Sequence, residues 1–304
     1  MLIVFMPPAL SVPAPSLERE RLSMGTRLRI RIAGAGDLGA ASDAAYAEAD
    51  RIEAACSTWK PDSAWSRLNA AGTAELSPEW VDLLRQAKQW SDKMEDAFDP
   101  MLGRLVAAWG ARRGGRTPTP EELNAARVAS GATHLRIEGT RVQLTDGAWV
   151  EEGGFVKGYA LDRMAAVLKQ HGVTAGLVDF GGQLLAFGSG ESVSIADPQR
   201  REQARITLCL KNASLAVSGD SERGKHLLDP RTGQPCEPWG EVAVVAPSGF
   251  QADVLSKLFV LGPDRGLAWA DAHGVAAVFL PNTGAARQSR AFCALNPTLL
   301  PEHP

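Results

Sequence analysis

Two glycine-containing segments on either side of one amphipathic helix constrain this chain more than any other feature of its sequence. The first, at 151–162, reads Glu-Glu-Gly-Gly-Phe-Val-Lys-Gly-Tyr-Ala-Leu-Asp, and the second, at 179–182, reads Asp-Phe-Gly-Gly. Glycine has no Cβ, so both segments permit unusual backbone angles and the close approach of a ligand. The free N–H groups in the first turn of a helix bind anions. The arrangement is typical of a dinucleotide site, although ordinary turns explain the glycines equally well.

The residues between these segments predict a helix and then a strand. Apolar residues recur at positions i, i+3, i+4 and i+7 and form one helix face, which consists of Leu161, Met164, Ala165 and Leu168. Gly172 ends the helix, and residues 176–180 have the composition of a strand.

Patterns elsewhere indicate a mixture of helices and strands. Ser77-Pro78 and Thr119-Pro120 each place an N-cap residue before a proline and so begin helices. The first of these helices has a predicted buried stripe of Trp80, Leu83, Leu84, Ala87 and Trp90. Further predictions are a helix at 42–56, a hairpin at 135–144 and strands at 27–32, 192–196, 205–210, 213–217, 241–246 and 275–280. The expected fold class is mixed α/β (α+β), with a mixed sheet flanked by helices.

Composition limits the classes of function. The chain has 304 residues, 45% of them hydrophobic and 22% charged, which is enough for one large domain or two packed lobes. A net charge of −3 gives no basic surface for nucleic acid. The four cysteines have neither C-x-x-C nor zinc-site spacing, and we interpret them as packed thiols.

The first residues are apolar and interrupted by prolines. The stretch is too short to span a bilayer and has no basic residue before it, so it is either the remnant of a secretory signal or a disordered tail. We therefore expect a tail at 1–20, one domain at 21–290 and a C-terminal tail at 291–304.

A segment at 218–233 places His226, Asp229 and Arg231 before a turn at Pro230 and Gly233. With the segments described above, it resembles the ApbE family, the FAD:protein FMN transferases. The resemblance extends over roughly 22–280. It includes, in the family's order, Met-Gly-Thr at 24–26, Ser-Thr-Trp-Lys-Pro at 57–61, Ala-Phe-Asp-Pro at 97–100 and Gln-Ala-Asp at 251–253.

The resemblance implies a single domain of that family and a group transfer. A threonine hydroxyl of a carrier protein with a Ser/Thr flavinylation motif attacks the FMN-side phosphorus of FAD, and AMP leaves. The alternatives are a protein that binds FAD without transferring it, and a FAD pyrophosphatase that releases free FMN and AMP. Because the family is usually exported or membrane-tethered, the expected location is periplasmic, with peripheral membrane association.

The resemblance also assigns roles to individual residues. His226 is the expected general base, since imidazole titrates near neutrality, and Asp229 the residue that orients it; for Asp229 the alternative is a cap of its own turn. The expected FAD contacts are Met24, Trp59, Ala97, Phe98, Asp99, Glu151, Lys157, Ser218, Gly219, Asp220, Leu228 and Lys257. Trp59 would stack on a ring of the ligand, unless it is a core tryptophan. The expected Mg²⁺ ligands are the Gly154 carbonyl, Asp253 and Ser256.

One departure from the family concerns charge. The family has a metal-binding threonine four residues after the aspartate, whereas this chain has Lys257 there, on the helical face of Asp253. Either its ammonium replaces the ion as a point charge on the pyrophosphate, with Asp253 offered as its partner, or Lys257 turns away and Asp253 with Ser256 still hold a hydrated Mg²⁺. We favour the first reading. Two further departures are Glu151-Glu152, where the family has Asp-Leu, and a shortened stretch at 218–226.

One motif favours a different class of enzyme. Residues 34–39 read Gly-Ala-Gly-Asp-Leu-Gly between a predicted strand and a helix, the fingerprint of a nicotinamide-binding Rossmann unit. That unit requires a following strand that ends in an acidic residue, and Ser-Thr-Trp-Lys-Pro stands there instead. We therefore expect no Rossmann unit.

Overall fold

The computed structural model describes residues 15–95, 97–111, 114–219 and 227–300. These form two compact units. The first comprises the described residues up to Arg51 together with 157–219 and 239–300, and the second comprises those at 52–156 and 227–238.

The strands are antiparallel in every pairing that the described residues make. They are β1 (Ser16–Ser23), β2 (Thr26–Gly34), β3 (Thr73–Glu75), β4 (Leu135–Glu138), β5 (Arg141–Leu144), β6 (Val173–Phe180), β7 (Gln183–Phe187), β8 (Glu191–Ala196), β9 (Ala204–Leu210), β10 (Ala213–Gly219), β11 (Gly240–Ala246), β12 (Ala276–Pro281), β13 (Arg287–Gln288) and β14 (Thr298–Leu299).

The α-helices within the described ranges are α1 (Leu38–Cys56), α2 (Ala64–Ala71), α3 (Pro78–Lys93), α4 (Gly103–Ala108), α5 (Pro120–Val128), α6 (Val156–Gln170), α7 (Gly249–Leu255), α8 (Gly262–His273) and α9 (Arg290–Cys293). A 3₁₀ helix, Ser256–Leu261, continues directly from α7. No helix in the described part of the chain is both long and apolar enough to span a membrane.

The first unit is built on an eight-stranded sheet in the order β1-β2-β6-β7-β10-β11-β12-β13. In β2, Leu28, Ile30 and Ile32 are buried and alternate with arginines, as the period of a strand requires. The β6–β7 hairpin turns at Gly181 and Gly182, whose φ angles of 62° and 91° favour glycine. A three-stranded sheet, β14-β9-β8, shares an apolar core with the large sheet.

The second unit contains the three-stranded sheet β3-β5-β4 and the helices α2 to α5. The predicted start of α5 is confirmed: Thr119 and Glu122 form a reciprocal capping box, with Pro120 at the first helical position. The hairpin predicted at 135–144 is formed by β4 and β5.

Several expectations need correction. The fold class is confirmed, but the large sheet is antiparallel rather than mixed, because β6 and β7 are joined by a tight turn and β2 pairs antiparallel with β6. The strand before the Gly34 to Gly39 motif therefore belongs to no parallel βαβ unit, and the absence of a Rossmann unit is confirmed for the described residues. Trp90, predicted to be buried, is only half-buried, with the Lys93 ammonium 5.0 Å from its ring centroid.

Both predicted tails overlap ordered structure. Strand β1 begins at Ser16, within the expected N-terminal tail. Near the other end, Phe292 is fully buried and β14 pairs with β9. The outer parts of both tails, at 1–14 and 301–304, lie outside the described residues.

Candidate functional site

Asp253 and Lys257 form a buried ion pair close to the start of α6. Asp253 is 5% exposed, and its Oδ2 accepts a hydrogen bond of 3.0 Å from the backbone N–H of Gly158. Its Oδ1 lies 3.0 Å from the Nζ of Lys257. Both oxygens of the carboxylate are therefore occupied, one by the first turn of α6 and one by the ammonium.

The Lys257 ammonium makes two more hydrogen bonds. Its Nζ donates to the Asp253 carbonyl and to the Ser256 Oγ, each at 3.0 Å. An ammonium has three donors, so the three bonds satisfy it. Lys257 thus points towards Asp253 and Ser256, which fits the pairing with Asp253 in the first reading, whereas its action on the pyrophosphate stays a prediction.

Serine hydroxyls extend this cluster to the end of β10. The Ser256 Oγ donates to the Asp253 carbonyl at 2.6 Å and lies 2.7 Å from the Ser218 Oγ. Gly219 follows Ser218, and a Cβ there would lie 2.9 Å from the carbonyl oxygen of Gly240 on the neighbouring strand. The next predicted residues, Asp220 and His226, lie outside the described residues.

Gly158 and Gly249 bring the two helices together. A Cβ at Gly158 would lie 2.6 Å from the carbonyl carbon of Gly249 and nearer still to its oxygen, and a Cβ at Gly249 would likewise meet the Gly158 carbonyl. Gly158 was predicted only to lead into the helix, and Gly249 was given no role. In the structure both glycines are needed for the contact between backbones that holds Asp253 at the start of α6.

Replacing Gly158 with alanine should therefore destabilise the protein by about 3 kcal/mol or more, because the added methyl group meets backbone, which cannot move aside. The change in the free energy of unfolding is measured with denaturant. Gly39→Ala in α1 is the matched control, since its Cβ would meet a side-chain atom, the Asp37 Oδ1 at 3.2 Å, and no backbone outside its own helix within 4 Å. Equal stability of the two variants would contradict the close contact.

Asp162 is a residue that the sequence analysis did not single out. Its carboxylate accepts the backbone N–H groups of Gly249 at 2.6 Å and Phe250 at 2.9 Å, and so caps the start of α7. Burial raises the pKa of Asp162, and these two hydrogen bonds oppose that effect. Its place at the end of the Glu151 to Asp162 segment was the available signal.

Asp179 fixes the second glycine segment. Its Oδ1 accepts the backbone N–H of Gly182 at 2.9 Å, and burial raises its pKa. The neighbouring Gln183 donates to the Gly249 carbonyl at 2.7 Å. The Asp-Phe-Gly-Gly segment is thus connected to the same helix start that Asp162 caps.

Met24 occupies the turn between β1 and β2. It is half-buried, and its φ of 45° is uncommon for a residue other than glycine. Met24 and Gly25 form a two-residue hairpin turn, which requires a positive φ at both positions, so the turn accounts for this conformation and the assignment of Met24 to ligand contact stays a prediction. Lys157 is half-buried in the first turn of α6.

In the second unit, Trp59 has an exposed side chain, with 61% of its surface accessible. The alternative of a core tryptophan is therefore wrong. The preceding Thr58 donates its hydroxyl to the Glu152 carboxylate, which belongs to the same unit. The exposed part of an indole can stack on a planar ligand.

Other predicted contacts in this unit have buried side chains. Phe98 is 3% exposed and packs edge-on against Phe155, with ring centroids 5.8 Å apart, and Ala97 is 1% exposed. Asp99 accepts the N–H of Met101 at 2.8 Å. The side chain of Leu228 packs with Leu105, Ala108 and Ala126. Ala97, Phe98 and Leu228 would therefore contact a ligand through their backbone.

The glycine segment of this unit differs from expectation in one respect. The backbone at Gly153 is outside the left-handed region, so glycine is not needed there for its conformation. Glu151 is half-buried and donates its N–H to the Pro100 carbonyl at 2.8 Å. Gly154 is half-buried, in the turn just before α6.

Asp229 forms the turn that the sequence offered as an alternative to catalysis. Its Oδ1 accepts the N–H and the Nε of Arg231, both at 2.9 Å, and its Oδ2 accepts Nη2 at 2.7 Å. The Gly233 N–H also donates to the Asp229 carbonyl at 2.8 Å. Turn capping is confirmed, and the orientation of His226 by Asp229 remains a prediction.

Comparison with known proteins identifies the family. The model of the ApbE family matches residues 24–279. The chain belongs to the ApbE family. Among its relatives, the FAD:protein FMN transferase of Haemophilus influenzae is 28% identical, over 95% of this chain and 96% of the relative. The enzyme of the same name from Klebsiella pneumoniae is 30% identical, over 86% and 83% of the two chains.

Solved structures of the family have the same fold. The apo flavinyl transferase ApbE of Pseudomonas stutzeri has a TM-score of 0.85 and 29% identity, over 92% of this chain and 96% of that one. The ApbE protein of Thermotoga maritima has a TM-score of 0.87 and 25% identity, over 92% and 99%. The resemblance stated from the motifs is confirmed.

Proposed function

We propose that this protein is a FAD:protein FMN transferase that attaches FMN to a threonine hydroxyl of an acceptor protein. The family match over residues 24–279, with relatives of that name aligned along most of their length, carries the proposal. The threonine acceptor, its Ser/Thr motif, the periplasmic location and peripheral membrane association are finer proposals that rest on the family resemblance.

The reaction is a phosphoryl-type transfer. The threonine Oγ forms a bond to the FMN-side phosphorus of FAD, the bond from that phosphorus to the bridging pyrophosphate oxygen breaks, and AMP leaves with that oxygen. The threonine proton passes to a base, for which we propose His226. The enzyme must hold the pyrophosphate in line and stabilise its charge.

The pyrophosphate would be held at the start of α6 chiefly by Lys157, because the Gly158 N–H of that turn already donates to Asp253. Lys157 lies in the first turn of α6, and the N–H groups of a first turn attract negative charge. Asp162, Gln183 and the contact between Gly158 and Gly249 keep α7 in register with it. These residues preorganise the helix start before a ligand arrives.

A resident Mg²⁺ at Asp253 and Ser256 is not supported by the residues around it. Mg²⁺ needs oxygen ligands at about 2.0–2.1 Å, whereas here the Asp253 carboxylate and the Ser256 hydroxyl already bind the Lys257 ammonium. We therefore include no metal in the proposed reaction.

Trp59 offers a test of FAD binding that does not require catalysis. If its exposed indole stacks on the flavin or the adenine, Trp59→Ala should weaken FAD binding by about 1–3 kcal/mol, or roughly 5- to 150-fold. Trp59→Phe, which keeps an aromatic face, should lose much less. Flavin fluorescence titration measures both, and equal affinities for wild type and Trp59→Ala would remove Trp59 from the site.

Product analysis tests the function itself against its alternatives. FAD is incubated with the enzyme, with and without an acceptor that carries a threonine in a flavinylation motif. AMP in equal amount to FMN-labelled acceptor supports transfer. Free FMN and AMP without labelling would identify a pyrophosphatase, and intact bound FAD a protein that only binds the flavin.

A further inference from the structure

We infer that Lys257 takes the place of a resident metal ion, by neutralising Asp253 beside the proposed pyrophosphate site. The inference rests on the proposed function for its ligand, and on the contacts of Lys257, Asp253, Ser256 and Gly158 for its geometry. It predicts that FAD binding and transfer do not depend on a divalent cation.

The position of Lys257 is built into the local fold. Asp253 is in α7, and Lys257 is four residues later in the continuing 3₁₀ helix, so the two side chains share one face. Lys257 is 15% exposed and Asp253 is 7% exposed as side chains. A lysine so shielded is costly unless it is paired and hydrogen-bonded, and three oxygens meet that requirement.

The negative charge of Asp253 lies beside the start of α6. Asp253 bonds to the Gly158 N–H, so its negative charge lies at the same helix start that would attract a pyrophosphate. Without a cation, this carboxylate would repel the ligand. The ammonium cancels its charge, and the attraction of the N-terminal turn and Lys157 for an anion is then retained.

The ammonium of Lys257 also prevents a metal ion from binding to the same oxygens. A divalent ion bound to the Asp253 Oδ1 and the Ser256 Oγ would need the oxygens to which the ammonium now donates. It would also lie next to a positive charge in a shielded site, where repulsion is strong. Lys257 and a metal are therefore mutually exclusive at these oxygens.

The test measures metal and ligand binding separately from turnover. Binding of Mn²⁺, a paramagnetic probe, is followed by electron paramagnetic resonance for wild type, Lys257→Thr and Lys257→Met. FAD affinity is measured for each in chelator and in Mg²⁺. Threonine supplies an oxygen ligand, whereas methionine keeps much of the lysine's bulk without charge or oxygen.

The expected result is that wild type binds no stoichiometric Mn²⁺ and has the same FAD affinity in both conditions. Lys257→Thr should bind Mn²⁺, and its FAD affinity should fall about tenfold or more in chelator and recover in Mg²⁺, since a carboxylate without a counter-charge then faces the pyrophosphate. Lys257→Met should stay weak in both conditions.

One Mn²⁺ per wild-type chain, with FAD binding lost in chelator and restored by Mg²⁺, would overturn the inference. The wild-type measurements decide even if the variants fail to fold. Flavin transfer that requires Mg²⁺ would leave the proposed function standing and reject the role of Lys257. FAD binding without a cation but without transfer would reject the function alone.

Discussion

Replacing His226 with alanine should lower the rate of FMN transfer by about 10²- to 10⁴-fold, the usual contribution of a general base. FAD affinity should remain close to that of wild type, because the proton is transferred only in the chemical step. The rate is measured as flavin fluorescence on the acceptor, and the affinity by titration.

The matched control is His171→Ala, an exposed residue just after α6. It should leave both rate and affinity unchanged. Transfer by His226→Ala at the wild-type rate would assign the base to another residue. Asp229→Asn gives a second comparison: a similar loss of rate would support the orienting role, whereas a loss of stability alone would match its hydrogen bonds to Arg231.

Asp253→Asn should destabilise the folded protein by about 3–5 kcal/mol, because it leaves the Lys257 ammonium without its counter-charge in a shielded site. The amide oxygen can still accept the Gly158 N–H, but the amide NH₂ then faces the Lys257 ammonium, so the change removes the charge and also opposes two donors. Denaturant unfolding measures the free energy. FAD binding is titrated on the folded fraction.

The double variant Asp253→Asn with Lys257→Met is the control for this prediction. It removes both charges and should recover a large part of the stability that Asp253→Asn loses, so that the two changes are far from additive. Additive effects, or a loss below about 1 kcal/mol for Asp253→Asn alone, a value typical of exposed ion pairs, would show that the pair is not energetically coupled.

Local periodicity predicted much of the fold. The apolar face of α6, the Thr119 cap and the β4–β5 hairpin each depend on residues close in sequence, and all were found. The antiparallel direction of the large sheet was missed, since apart from the β6–β7 hairpin it also depends on the pairing of distant segments, β2 with β6 and β7 with β10. The edge strand β1 was missed because it lies next to the proline-rich start. Its centre is also a run of four charged residues, at 18–21, instead of an alternation of apolar and polar residues.

In the site, too, contacts between residues close in sequence were predictable and contacts between distant segments were not. The pairing of Lys257 with Asp253 was predictable because the two residues are four positions apart on one helical face. The backbone contact of Gly158 with Gly249, and the capping of α7 by Asp162, join residues about ninety positions apart, so the 151–162 segment could draw attention to Gly158 and Asp162 but could not indicate their partners. The turn at Asp229 involves only neighbouring residues, and it was therefore predicted from the sequence as the alternative to a catalytic role of Asp229.

The central claim is transfer of FMN to protein, and the intact mass of an acceptor tests it most directly. The purified enzyme is incubated with FAD and two acceptors, one with a threonine in the flavinylation motif and one with alanine there. The account predicts that the first gains the mass of one FMN joined through a phosphoester while AMP appears in equal amount, and that the second gains nothing. The contradicting result is a threonine acceptor that this enzyme leaves unmodified although a known relative labels it. FAD would then be recovered intact or as free FMN.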